Sequence, residues 1–185
     1  MKKIILIAIS LLLSACAQSI STDTTFNTNN DDGLIAIGVD SSSYLTLLTF
    51  SRMDPKTCKL TAFAGLGNRG IDGKGTGKHF YMNTFPAGVW VLSSATFGGS
   101  GVRVVNKFDK GGIAFEVKPG EFIHIGELEL GFFGPKINKP DPQGLATYLN
   151  EFPNVSVAPT TVKPWLTPFS FNKNKAISGC KPRPS

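Results

Sequence analysis

Two histidines, His79 and His124, and the carboxylates Glu121, Glu127 and Glu129 are the side chains best suited by type and spacing to acid–base or metal chemistry. A histidine facing a carboxylate can move a proton near neutral pH, and two carboxylates flanking a cleft can hydrolyse a glycosidic bond. All five fall on stretches that read as strands, and in a regular strand Glu121 and Glu127 point away from His124. The expected reading is two ordinary strand histidines. With two histidines and no Gly-x-Ser-x-Gly elbow, a Ser or Cys triad has few ways to form. Gly65-Leu66-Gly67-Asn68-Arg69-Gly70 spells a dinucleotide fingerprint, but Ile71 to Lys78 is too glycine-rich for the helix that must follow it. Gly65 to Gly77 is expected to be a mobile glycine loop. Neither Cys58 nor Cys180 has a Cys or His neighbour at zinc-ligand spacing, so neither a metal nor a cofactor is expected.

The elements that must position these residues are mostly strands. The 185 residues are 41% hydrophobic and 17% charged, with 20 Gly and 12 Pro, which suits one folded domain and excludes a low-complexity chain. Strand signals separated by turn residues cover Leu34 to Val39, Tyr44 to Met53, Cys58 to Ala64, His79 to Phe85 and Gly88 to Phe97. They continue through Val102 to Phe108, with Val102, Val104 and Phe108 on one side, then Ile113 to Val117 and Glu121 to Leu130. In the last of these, Ile123 and Ile125 share one phase and Leu128 and Leu130 the other. A β-bulge at Gly126 restores a single inward row. Asp141 as N-cap and Pro142 at the first helical position predict a short helix near 141–152, ended by Pro153. From Phe152 onward the chain reads as an irregular, ordered C-terminal wrap.

Met1, Lys2 and Lys3 precede an apolar run from Ile4 to Leu13 that is too short to span a bilayer and has the layout of a signal peptide. The following Leu13-Ser14-Ala15-Cys16 resembles the lipobox of bacterial lipoproteins. The resemblance implies cleavage before Cys16, lipidation of its thiol and acylation of its new amine, and hence a membrane partner through two or three acyl chains. Residues 1–15 are then a cleaved signal, 16–33 a flexible tether and 34–185 a single β domain. The resemblance also implies a bacterial envelope address, in the outer membrane where there are two membranes, because Ala17 and not Asp follows Cys16. Once Cys16 is consumed, Cys58 and Cys180 remain, and an even pair in an exported chain is expected to form a disulfide. In the chain-entropy description such a long loop contributes about 4–5 kcal/mol.

Phe85-Pro86-Ala87-Gly88-Val89-Trp90-Val91-Leu92 and Phe115 to Gly126, with Val117-Lys118-Pro119-Gly120-Glu121 at its centre, resemble the strand–turn elements of small bacterial lipoproteins with prealbumin-like or carboxypeptidase-regulatory-like sandwiches. That resemblance implies an antiparallel β-sandwich, prealbumin-like or Ig-like. It supplies no catalytic residue. Lys163, Lys173, Lys175, Lys181 and Arg183 follow Phe152 with no acid among them. Together with Trp165 and Phe169 they form a candidate surface for anionic lipid, cell-wall polymer or an envelope protein. Nucleic acid is not an expected partner, since no recognition motif is present. The expectation is a membrane-anchored, non-enzymatic binding or assembly module. Its rivals are a cell-wall or glycan hydrolase using the carboxylates around His124, and an inhibitor lipoprotein using the Gly65 to Gly77 loop.

Overall fold

A computed structural model describes residues 20–61, 68–99, 102–108, 110–131, 134–170 and 177–180. Among these residues nine strands and one helix follow in the order β1 (Asp32–Arg52), β2 (Asn68–Pro86), β3 (Gly88–Gly99), β4 (Val102–Lys107), β5 (Gly112–Val117), β6 (Phe122–Gly131), β7 (Gly134–Asn138), α1 (Pro142–Leu149), β8 (Thr160–Thr161) and β9 (Trp165–Thr167). The fold is mostly β with one short helix. Its strands form one sheet in the order β7-β6-β1-β3-β5-β9, with β2 paired to β1, β4 to β3 and β8 to β6. That sheet curls into a half-barrel. The expected all-antiparallel pairing fails at β6, which runs parallel to β1 from Leu34 opposite Phe122 to Ser41 opposite Leu130. β8 is also parallel to β6.

The spine is β1. Its first half is buried on both faces, with Ile35, Ile37 and Val39 in the main core and Leu34 and Ala36 in a second cluster. The two strands expected at Leu34 to Val39 and Tyr44 to Met53 are one. The polar run Ser41 to Ser43 bends the chain without ending it, at a bulge where Ser41 Oγ donates to Ser43 O at 2.7 Å. β2 pairs with β1 along its whole length, from Pro86 opposite Asp32 to Asn68 opposite Ser51. The expected glycine loop is therefore strand from Asn68 to Gly77, and Gly65 to Gly67 lie outside the described residues. Gly75 and Gly77 take φ of +96° and +89°, so the kinks that the bulge demands fall where no Cβ resists them. Cys58 to Thr61, expected to begin a strand, instead make isolated bridges from Leu60 to Met53 and from Lys59 to Ser170; Ala62 to Ala64 lie outside the described residues.

Inside the curl, Phe50, Phe85, Trp90 and Phe115 pack edge to face with ring centroids 5.0–6.0 Å apart. Such pairs add about 0.5–1.5 kcal/mol each beyond burial. The outer face of β1, β2 and β6 is covered by α1, Phe152 and the N-terminal segment. Residues 20–33, expected to belong to a tether, are built into the body. Phe26 is fully buried, its N–H donates to Asn154 O at 3.1 Å, and its carbonyl accepts from Ser156 N at 3.0 Å. A lone aromatic in a polar stretch found a long-range partner, and burial of its ring outweighs the entropy of ordering its neighbours. Residues 16–19 lie outside the described residues.

The C-terminal wrap is ordered where described. Trp165 and Phe169 are buried and belong to the main core, and Cys180 is disulfide-bonded to Cys58 across 122 residues of sequence.

Candidate functional site

The Gly126 bulge decides what stands beside His124. Gly126 takes φ of +96°, and the register against β1 shifts there, from Ala36 opposite His124 to Gly38 opposite Glu127. The extra residue keeps Ile123, Ile125, Leu128 and Leu130 together in the main core, as the phase slip predicts. It also turns Glu127 to the side of His124, correcting the expectation that the two point apart. His124 Nε2 lies 3.4 Å from Glu127 Oε1.

From there a chain of charges crosses three strands. The Glu127 carboxylate lies over β1 at Gly38, where any Cβ would collide with it, and reaches Lys78 on β2, with Nζ 3.6 Å from Oε2. Lys78 Nζ in turn donates to Asp141 Oδ2 at 2.6 Å. Asp141 caps α1 as its sequence predicts, with Oδ1 accepting from Gly144 N at 2.9 Å, and its own N–H donates to Glu127 Oε1 at 3.3 Å. Phe80 lies beside the cluster and stacks on Tyr148 of α1, centroids 6.0 Å apart.

The electrostatics follow from this geometry. Burial holds the His124 imidazole below its ordinary pKa, against the pull of the Glu127 carboxylate. The hydrogen bond to Asp141 raises Lys78, and the same bond lowers Asp141, helped by the Gly144 N–H. Burial pushes the Tyr148 phenol up to about 12. His124 is 1% exposed and Glu127 6%. Through Asp141 the cluster ties the start of α1 to Lys78 on β2 and Glu127 on β6.

The remaining candidates do not converge on it. His79 turns toward Tyr81, with ring centroids 6.4 Å apart and Nε2 2.9 Å from Thr76 O; Phe80, its neighbour on β2, is the residue beside His124. Glu129 is exposed and pairs with Lys136 at 3.3 Å and Asn138 at 3.4 Å. Glu121 serves through its backbone, its carbonyl accepting from Leu34 N at 2.9 Å. Among the described residues no three His, Cys, Asp or Glu side chains are grouped to hold a metal.

The C-terminal candidates separate in the same way. Trp165 and Phe169 are buried in the main core and are not surface residues. Lys163 is exposed and lines a pocket of about 270 Å³ with Ile125, Gly126, Ile137 and Pro164. Lys173, Lys175, Lys181 and Arg183 lie outside the described residues, as does Cys16.

The surface feature that the sequence concealed is β4. Val102, Val104 and Val105 are 66%, 52% and 54% exposed, although Val102 and Val104 share their side of the strand with Phe108. Phe108 is buried, whereas the valines stand exposed on the strand that pairs with the second half of β3. Among the described residues the outer edge of β4 has no strand partner. The comparisons with known proteins add no name to this arrangement: no family model, no curated protein and no solved structure matches the chain.

Proposed function

We propose that this chain is a lipid-anchored, non-enzymatic recognition module of the bacterial cell envelope, held to the membrane through Cys16 and binding a protein through the exposed β4 edge. The observation that carries the binding role is that edge: a six-residue strand with three exposed valines, where the other exposed large apolar side chains among the described residues are Tyr44 and Leu166. The address rests on the lipobox resemblance at Leu13 to Cys16 and is supported by the Cys58–Cys180 disulfide, a bond that persists in oxidising compartments. A prealbumin-like ancestry for the strand–turn elements around Pro86-Ala87-Gly88 and Pro119-Gly120 belongs to the same proposal. The closure of His124 and Glu127 speaks against the hydrolase alternative, and the strand pairing of Asn68 to Gly77 against an inhibitory loop.

The experiment is intact-mass measurement on protein extracted from the membranes of its own host, beside the Cys16→Ser variant. The proposal expects a mature chain starting at Cys16 with two or three acyl chains, and release of the variant from the membrane. An unacylated native chain, or a variant that stays membrane-bound, contradicts the anchor.

A further inference from the structure

The outer edge of β6 has two strand partners and a gap between them. β8 runs parallel to its start, pairing at Ile123 and His124, and the Val162 N–H extends the contact by donating to His124 O at 3.1 Å. β7 runs antiparallel to its end, from Glu127 opposite Asn138 to Gly131 opposite Gly134. Ile125 and Gly126 lie between, paired with neither strand. A proline stops each partner at the gap. Pro140 stands two residues past Asn138 and Pro164 two past Val162, and neither has an N–H to continue a ladder. A Cβ built on Gly126 would meet nothing nearer than Asn138 O at 3.8 Å and Ile137 Cγ2 at 3.9 Å. The resulting pocket holds about 270 Å³, room for about nine water-sized groups.

Its lining is apolar but for a few groups. Ile125 is fully buried, Ile137 and Val162 pack against the main core, and Pro140 and Pro164 add to the apolar wall. Lys163 is the charged residue of the lining; it is exposed, and among the described residues no carboxylate pairs with it. The next acids along β6 are engaged elsewhere, Glu127 with His124 and Lys78, and Glu129 with Lys136 and Asn138. We infer that this pocket binds a small aliphatic carboxylate, its hydrocarbon chain against Ile125, Ile137 and Val162 and its carboxylate at Lys163. A recess of this kind buries the tail of any aliphatic molecule and selects among them by the head group. A carboxylate is paired by the ammonium, a neutral alcohol gains only the burial, and a cation is repelled. No lining residue belongs to β4, so the site is independent of the β4 edge, and it requires no acylation of Cys16.

The test is titration of the full chain, carrying 13C-labelled isoleucine and valine methyl groups and reconstituted in lipid nanodiscs, with hexanoate, butanoate, 1-hexanol and hexylammonium. Empty nanodiscs supply the reference for partitioning into lipid, and if Cys16 carries no lipid the same titration runs in plain buffer. The inference expects saturable shifts at the Ile125, Ile137 and Val162 methyls with hexanoate, while Val104 and Val105 on β4 stay in place. Hexanoate is expected to bind about tenfold more tightly than butanoate, because two further methylenes are buried. Lys163→Gln is expected to weaken hexanoate about fivefold, the value of one partly exposed ion pair, and to leave 1-hexanol unchanged. Ile137→Trp, which fills the pocket, is expected to abolish binding; an intact Cys58–Cys180 bond and unmoved Val104 and Val105 signals report that each variant has folded. Shifts that do not saturate or that spread equally to β4, hexylammonium binding as tightly as hexanoate, or hexanoate binding untouched by Lys163→Gln overturns the inference.

Discussion

Two regions of this protein invert the usual distribution of polarity. Beneath α1, the titratable side chains of His124 and Glu127 are buried and joined to Lys78 and Asp141. On β4, three valines stand in solvent. Charges of this kind are often read as chemistry and valines as scaffold, and here the surroundings argue the reverse. The buried His124 and Glu127 meet each other, a glycine-cleared strand and the cap of α1, which ties them to the start of the helix. Among the described residues no strand pairs with the outer edge of β4, so the valine-bearing edge is open to another chain. Accessibility, more than residue type, separates architecture from recognition.

The comparison can be broken most forcefully from the buried side. Gly38→Ala pushes a methyl group into the Glu127 carboxylate, and relieving it means moving a buried ion from its partners. A loss of about 3 kcal/mol is expected from overpacking and disruption of a buried charge pair, read as a lower urea midpoint at unchanged m-value. Association through β4 is expected to survive at concentrations where the variant remains folded. A stability change below about 0.5 kcal/mol would mean that the cluster is not clamping the sheet.

Asp141→Ala comes next. It removes the helix cap and the nearer partner of Lys78, and an expected loss of about 1–2 kcal/mol follows from the cap alone. Asp141→Asn keeps a capping oxygen and is expected to recover about half of it; equal losses in the two would assign the effect to charge alone.

The pH dependence sharpens the same contrast. His124 in the folded chain has its pKa held below the ordinary 6.5 by burial. As pH falls through 6.5 the unfolded chain takes up a proton that the folded chain refuses, so the unfolded state binds more protons and stability falls with pH. The contribution is fully present above this range and is lost progressively below it. Denaturation series between pH 5 and 8 are expected to show this slope in the wild type and a flatter one in His124→Gln; equal slopes would place the titration elsewhere.

The smallest stability effect is expected on β4. Val105→Thr is an exposed, β-branched replacement and is expected to change stability by less than about 0.5 kcal/mol. A large loss would show that the edge is packed in the folded protein.

What was legible in the sequence was local. Asp141 and Pro142 announced α1 because a cap and a first-turn proline act within four residues. Pro119-Gly120 marked the β5–β6 turn, where Gly120 takes φ of +64°. The Gly126 bulge was legible from the phase of four apolar residues. Its second consequence was equally implied, since a bulge that re-faces Leu128 must re-face Glu127. What was hidden was long-range. The parallel β1–β6 pair has no turn to betray it, Phe26 finds its partner near residue 155, and the glycine-rich start of β2 is strand only because β1 lies beside it. The exposure of Val102 and Val104 was hidden for a related reason: alternation reports a face, and only the assembled fold says whether anything covers it.

Cross-linking mass spectrometry on intact membranes, with peptides mapped from the wild-type chain, tests the central claim most directly. The account predicts an N-terminal peptide with acylated Cys16, the Cys58–Cys180 bond, and intermolecular links concentrated on the β3–β4 hairpin. An unmodified Cys16 together with a hairpin free of links would contradict it.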